Sequence, residues 1–546
     1  MRTVRQIIVM KIYVFLFGLF WLSGITAKAA DYYVMPTNLA SAEPYTDWTI
    51  AGTNIIDVVN YAVANSGPRT VWVTNGTYLV TNQILMTNII TVQSFNGYSN
   101  TIVYADFPNY TTRVFSVVNT GIVDGFTISN GHWFESNGTY YGLGGGGAYI
   151  ANALVRNCYF VNNISSNSIA NVGGGGAYVA SGGIISNCIF YANTAKQTPY
   201  GANYVGGGGF YLYYGTALKC IAVSNTAAGL YGGGFCNTYG TISNCTIIYN
   251  SGGQNLLNGG GLCIDSVISN NPSGGFNLQG GIIRNCTIVD NPAGCGVYVY
   301  SAGMVSNCVI AGNRSSSSAG GIYHNSAVLN IVSCSISNNI CTGGSGGGGV
   351  TLQSNGKMIN CLIANNTNSS SSGCGGGVLL TNTGSTFGLL NCTIVNNYST
   401  TDGGGIAAGG NNYIANCIIA GNSSSAGIYP NVYNTGANSN NYWYCCANPT
   451  SAPLAPNQRN ITNDPLFVDV NSGNYRLARG SPCINAGTNQ GWMTSDSLDL
   501  AGNLRLRFGR VDIGAYEWYP RIKVNGVLYE KIKFINGTEP CQINGY

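Results

Sequence analysis

An all-β solenoid, a parallel β-helix of about eleven coils with an N-terminal cap and a C-terminal β-rich closing module, is the fold this 546-residue sequence predicts. Three observations carry the prediction. A cysteine phrase recurs once per coil, a glycine run keeps step with it, and the short apolar stretches between them alternate with a period of two.

The phrase is a cysteine, a branched or aromatic residue two places on in nearly every copy, and an asparagine five places on; it occurs ten times between residues 158 and 422. Its cysteines are Cys158, Cys188, Cys220, Cys245, Cys286, Cys308, Cys334, Cys361, Cys392 and Cys417, spaced 22 to 41 residues apart. That is the period of a solenoid coil and far from a heptad. The long interval from Cys245 to Cys286 admits two readings, a looped-out insertion or a coil that lacks its phrase.

The glycine runs usually end 11 to 13 residues before the cysteine, most clearly at Gly144–Gly147, Gly173–Gly176, Gly206–Gly209, Gly232–Gly234, Gly346–Gly349 and Gly403–Gly405. Glycine allows positive φ and close approach of neighbouring chains, so a stacked run marks a tight corner. Stretches such as Ala177-Tyr178-Val179 and Cys188-Ile189-Phe190 alternate as strands do, and no window inside the repeats shows a helical apolar face. Cysteine, isoleucine and phenylalanine are expected inside, with asparagine at a turn bonded to backbone and to the asparagine of the next coil.

Ten cysteines at one position of successive coils read as a ladder of free thiols acting as small apolar core, because side chains in register point the same way rather than toward each other. Cys236, Cys263 and the pair Cys445-Cys446 are the disulfide candidates. Metal binding has little to rest on, with no Cys-x-x-Cys spacing and only His132 and His324 available.

The phrases Gly176-Ala177-Tyr178-Val179 and Phe190-Tyr191-Ala192-Asn193 resemble the repeats of the polymorphic outer membrane proteins, within the pectin-lyase-like right-handed β-helix group. Most copies here carry isoleucine where that family prefers phenylalanine. The resemblance implies a right-handed coil over about 300 residues, residues 121–440, and a secreted or outer cell-surface bacterial location. Ahead of them, in residues 30–120, Tyr32-Tyr33-Val34, the helically spaced stretch Trp48 to Val63 and Val71 to Tyr78 resemble the opening of secreted β-helix proteins, where a short helix closes the core. Behind them, in residues 441–519, Asp464-Pro465-Leu466-Phe467-Val468, Asn474-Tyr475-Arg476-Leu477, Ser481-Pro482-Cys483-Ile484-Asn485 and Val511-Asp512-Ile513-Gly514-Ala515-Tyr516-Glu517 resemble the choice-of-anchor Q module. Residues 520–546 form a short tail without an apolar span.

Residues 1–29 read as a secretory leader: Arg2, Arg5 and Lys11 precede an apolar stretch from Ile12 to Ile25, then Ala27-Lys28-Ala29. A membrane anchor is the competing reading, and no later segment is long and apolar enough to span a bilayer. Charged residues make up only 7% of the chain and the net charge is +4 without a basic cluster, which excludes a nucleic-acid footprint.

Two chemistries compete. Arg113, Asp124, His132 and Glu135 fall within 23 residues, and His132-Trp133-Phe134-Glu135 joins a titratable pair to aromatic rings; this is the site expected of a polysaccharide lyase or glycoside hydrolase, with calcium implied only for the lyase. Against it, the later coils hold only Asp265, Asp290 and Asp402, at different positions in their coils. Two residues past the last glycine of successive runs stand Tyr149, Tyr178, Tyr211, Cys236, Cys263, Tyr298 and Tyr323, so outward-facing tyrosines along one sheet suit a neutral polysaccharide or cell-surface glycan. Non-catalytic adhesion or carbohydrate contact, with no cofactor and no metal, is the favoured function; a purely structural rod is the third. The acids Asp464, Asp469, Asp499, Asp512 and Glu517 are expected to cap turns and to pair with Arg476, Arg479 or Arg510 rather than to bind calcium.

Overall fold

The computed structural model describes residues 29–519 apart from short internal segments, the longest of them 136–143, 198–205 and 449–457. Residues 1–28, all but the last residue of the expected leader 1–29, and the sequence beyond 519, save four residues of a small hairpin, lie outside the described residues.

One coil runs from Ala148 to Asn167. It consists of strand Ala148–Ala151, a bend, strand Leu154–Arg156, a corner at Asn157-Cys158, strand Tyr159–Val161, a corner at Asn162-Asn163, and strand Ile164–Asn167. Each pairs in parallel with its counterpart in the next coil, Tyr149 opposite Tyr178, Val155 opposite Ile185, Phe160 opposite Phe190 and Ser165 opposite Ala195. Stacked, they make a first face of 28 strands, a second face of 15 and short third faces of 4 and 5. Fifteen strands at about 4.8 Å give a rod of ~67 Å.

The rod is therefore longer than about eleven coils. Strands Gly76–Val80 and Thr101–Ala105 precede the coil of Thr127–Ser129, Cys446–Asn448 follows the last phrase, and Val267–Ser269 lies inside the long interval. Val267–Ser269 pairs with Thr246–Ile248 on one side and Thr287–Val289 on the other. The interval thus holds a coil whose phrase reads Ser266, Ile268, Asn271, with serine in the cysteine place.

Both corners turn on a single left-handed residue, Asn157 at φ 54° and Asn162 at φ 56°, and the position recurs along the rod as Asn187, Asn244, Asn285 and Asn307 before the cysteines. Asparagine tolerates this region better than other residues with a side chain. The second corner is held by the asparagine ladder: Asn163 donates from its backbone (3.0 Å) and side chain (2.9 Å) to Asn193 Oδ1, and from Nδ2 to Ile128 O (2.9 Å). The same pattern runs through Asn193, Asn225, Asn250 and Asn271. At the first corner Cys188 Sγ donates to Ser186 O at 3.4 Å, and Cys220 N–H reaches Cys245 Sγ at 3.4 Å.

The ladder cysteines are buried free thiols, and so are all four disulfide candidates. Cys236 takes the tyrosine position, opposite Tyr211. Cys263 Sγ lies 3.9 Å from Cys286 Sγ, far beyond a bond of about 2.05 Å. Cys445 and Cys446 belong to opposite sides of the chain, one in the rod core and the other in the cluster on its flank.

The glycine runs lie against the third face. A Cβ on Gly146 would stand 2.2 Å from Ile164 O, one on Gly175 2.5 Å from Thr194 C, one on Gly208 2.5 Å from Thr226 O and one on Gly376 2.4 Å from Tyr398 O. Two backbones cross there in contact, and no side chain fits.

At the N-terminal end, helix Ile55–Ala64 starts at Asn54, whose side chain accepts from Ile56 N, and packs Ile55, Val58, Val59 and Ala62 on the core. At the other end, Asn460 accepts from Cys445 N (2.8 Å) and donates to Tyr442 O (2.9 Å), covering the last coil. The following segment lies along the flank instead of extending the stack. Among the described residues its only paired strands are Phe467–Asp469 and Asn474–Leu477, so it is mostly turns, and Tyr475, Leu477, Cys483 and Ile513 cover Leu362, Val395, Ile418 and Cys446 on the second face.

Candidate functional site

The early-coil quartet divides. Arg113 is buried just ahead of strand Phe115–Val118, its guanidinium carbon 3.7 Å over the Trp133 ring and 5.3 Å from the Tyr149 ring. His132 Nε2 is 2.6 Å from Ser166 Oγ, and its ring meets Phe107 edge-on at 4.1 Å. Burial first, and the charge of Lys196 second, lower its pKa below the usual imidazole value, so the ring is neutral at physiological pH. Asp124 sits on the first face, where Arg156 Nε (2.7 Å) and Asn157 Nδ2 (2.7 Å) of the next coil hold its carboxylate. It joins no site with His132. Glu135 pairs by backbone with Asn167, and its side chain lies outside the described residues.

The tyrosines divide as well. Tyr149, Tyr178 and Tyr211 form a stack with centroids 5.9 and 5.2 Å apart and planes within 16° and 4°. They are not open to solvent as a ladder. Tyr178 is 4% exposed, and the glycine runs lie across the stack: a Cβ on Gly144 would stand 3.2 Å from Tyr178 Cδ2 and one on Gly173 2.5 Å from Tyr211 Cδ2. Burial raises both phenols, and Tyr211 Oη is 3.2 Å from Thr238 Oγ1. These rings fill the gap under the glycine corner.

Tyr298 and Tyr323 differ. Half-buried as Tyr149 and Tyr211 also are, they stand opposite each other in register with centroids 5.2 Å apart and planes tilted by 31°, and among the described residues no glycine run is stacked on their rings. Together with Gln254, Ser273, Cys295, Ser317 and Ser318 they line an open groove of about 410 Å³. Tyr323 Oη donates to Gln353 Oε1 at 3.2 Å, and Gln254 Nε2 donates to Cys295 O at 3.2 Å. Burial pushes the Cys295 thiol up to about 11, so it stays protonated. Next in register to Tyr298 is Asn277, whose Oδ1 is buried with no hydrogen-bond partner among the described residues. Among the described residues no carboxylate lines the groove. Hydroxyls, amides and two ring faces make it a neutral, hydrogen-bonding trough. The sequence signal missed was the serine run Ser315–Ser318, which supplies the wall.

Residues 229–397 match the family model described as right handed beta helix region. The protein is a right-handed parallel β-helix. No curated protein matches the sequence. Among solved structures it is similar to pectate lyase Pel9A at 14% identity, with 90% of this chain and 97% of that one covered and a TM-score of 0.24. It is similar to the mannuronan C-5 epimerase AlgE4 A-module of Azotobacter vinelandii at 14% identity, covering 62% and 89%, TM-score 0.27. A tailspike protein mutant of E. coli bacteriophage HK620 in complex with a pentasaccharide is similar at 12% identity, covering 72% and 76%, TM-score 0.33.

The C-terminal acids act within the chain. Asp464 accepts from Leu466 N, Asp469 from Asn471 N, and Asp499 from Ala501 N and Asn503 N. The arginine that pairs with Glu517 is Arg505, at 2.7 Å, and not Arg476, Arg479 or Arg510. Among the described residues no group of three His, Cys, Asp or Glu side chains is placed to hold a metal. No described helix is long and apolar enough to cross a membrane.

Proposed function

We propose that this β-helix is an exported rod that contacts neutral polysaccharide or cell-surface glycan without turning it over. The observation that supports this reading is the Tyr298–Tyr323 groove, where two rings stand among hydroxyls and amides with no acid beside them among the described residues. Pyranose faces stack on aromatic rings, and a neutral lining avoids desolvating a charge. Placement at the cell surface rests on the leader-like start and on the resemblance to polymorphic outer membrane repeats and to choice-of-anchor Q modules.

The test is a glycan panel read for retention and, with and without calcium, for release of unsaturated or reducing ends. Retention without release, weakened about tenfold by Tyr298→Ala or Tyr323→Ala, is expected; that corresponds to ~1.4 kcal/mol. Release of ends that is lost in His132→Ala would replace this reading with the lyase or hydrolase.

A further inference from the structure

A second groove, of about 420 Å³, lies where the flanking C-terminal segment meets the first face, lined by Gly356, Lys357, Gly388, Leu390, Tyr413 and the turn Gln490-Gly491-Trp492. Lys357, Gly388 and Tyr413 are opposite each other in three successive coils. Lys357 and Tyr413 thus flank Gly388, with about 9.6 Å, two strand spacings, between their backbones. Trp492 forms the facing wall and rests on Ile359, Leu390 and Ala415.

Two features of this groove have no explanation in the fold. Gly388 is in a strand at an ordinary negative φ, and a Cβ there would meet nothing closer than 3.7 Å; Gly491 has open space around it and needs no positive φ either. Unlike the corner glycines, neither is required by backbone or packing, and both leave the floor and rim bare. The Trp492 Nε1 is buried with no partner among the described residues, a cost accepted to keep the indole at the wall. Lys357 is exposed, and among the described residues it makes no ion pair and no acid lines the groove.

We propose that this groove binds a pyranose carrying a carboxylate. The ring lies on the bare floor at Gly388 between the faces of Tyr413 and Trp492, the carboxylate pairs with Lys357, and the Gln490 amide takes a ring hydroxyl. The site is distinct from the Tyr298–Tyr323 groove in place and in ligand charge.

The matched probes are cellotriose and its C6-oxidised counterpart, the trimer of glucuronic acid, titrated by calorimetry against the full-length protein. The acidic trimer is expected to bind at least tenfold tighter than the neutral one. Gly388→Val, a substitution a strand accepts, fills the floor; it should keep the melting temperature and lose acidic-trimer binding by tenfold or more. Trp492→Ala should do the same to binding, and Lys357→Ala should erase the preference for acid over neutral. Tyr298→Ala should leave acidic-trimer binding unchanged. Binding of neither trimer, or equal binding by the parent and a folded Gly388→Val chain, would overturn the proposal.

Discussion

A single buried polar atom decides each corner. Ser266 shows what the cysteine ladder does: its Oγ accepts from Cys245 N at 3.0 Å and donates to Ile264 O at 2.8 Å, the same two bonds that Cys245 Sγ makes with Cys220 N (3.4 Å) and Ser243 O (3.3 Å). The ladder is therefore a row of turn-closing donors as well as apolar filling. Ser266→Ala leaves the Cys245 N–H buried and unmet and should cost about 1–2 kcal/mol in denaturant unfolding, whereas Ser266→Cys should stay within about 1 kcal/mol of the parent. Equal losses in both would show that side-chain volume alone matters there. The same scale explains where site reading from sequence stopped: Asp124 and His132 are eight residues apart, but one strand faces Arg156 and the other Ser166, and neither partner is announced by spacing along the chain.

The glycine run is the element that sets the cross-section. Gly175 has an ordinary negative φ, so its requirement is steric: a Cβ would stand 2.4 Å from Gly208 O and 2.5 Å from Thr194 C. Gly175→Ala should force two backbones apart and destabilise by more than about 3 kcal/mol, read as a lowered melting temperature, while Gly388→Ala on the open face should be silent. Solenoid, glycine corner and asparagine ladder were legible in the sequence because each repeats, and a repeat averages out the ambiguity of any one short apolar run. The coil of Ser266 was not, since one serine broke the phrase; the left-handed corner itself is marked by an Asn-Cys pair in eight of the ten copies. The orientation of Tyr149, Tyr178 and Tyr211 was not legible either. Alternation places them away from the core, and only the glycine chain lying over them makes outward mean buried at Tyr178 and half-buried at Tyr149 and Tyr211.

At the scale of the whole molecule, the second face presents apolar side chains outward, and its last coils are covered. Ile221, Val267 and Val309 are exposed, whereas Leu362, Val395 and Ile418 lie beneath Tyr475, Leu477 and Ile513. What fixes that cover is one fully buried arginine. Arg505 donates to Asn360 Oδ1 of the rod and to Gly514 O, and pairs with Glu517 at 2.7 Å; Glu517 accepts in turn from Asp512 N, and Asp512 from Asn485 N at 2.7 Å. Burial outweighs these bonds for the acids, pushing Glu517 from 4.5 up to about 8 and Asp512 from 3.8 up to about 6. An undocked segment returns both to their ordinary values. Between about pH 4 and 8, then, the docked state keeps protons that the undocked state has released, so docking weakens as pH rises through that window and levels off above it. The protection of the amides across residues 498–517, measured as exchange relative to the intrinsic base-catalysed rate at each pH, should be highest near pH 4 and fall toward pH 8.5. Glu517→Gln should flatten the part of that change above about pH 6, because only the lower step of Asp512 remains. Arg505→Met, which leaves Asn360 Oδ1 unmet and Glu517 without its cation, should lower protection at every pH and bare Leu362 and Ile418, raising the binding of a hydrophobic dye. Protection that is constant from pH 4 to 8.5 would mean that apolar cover, and not the buried charges, holds the segment to the rod.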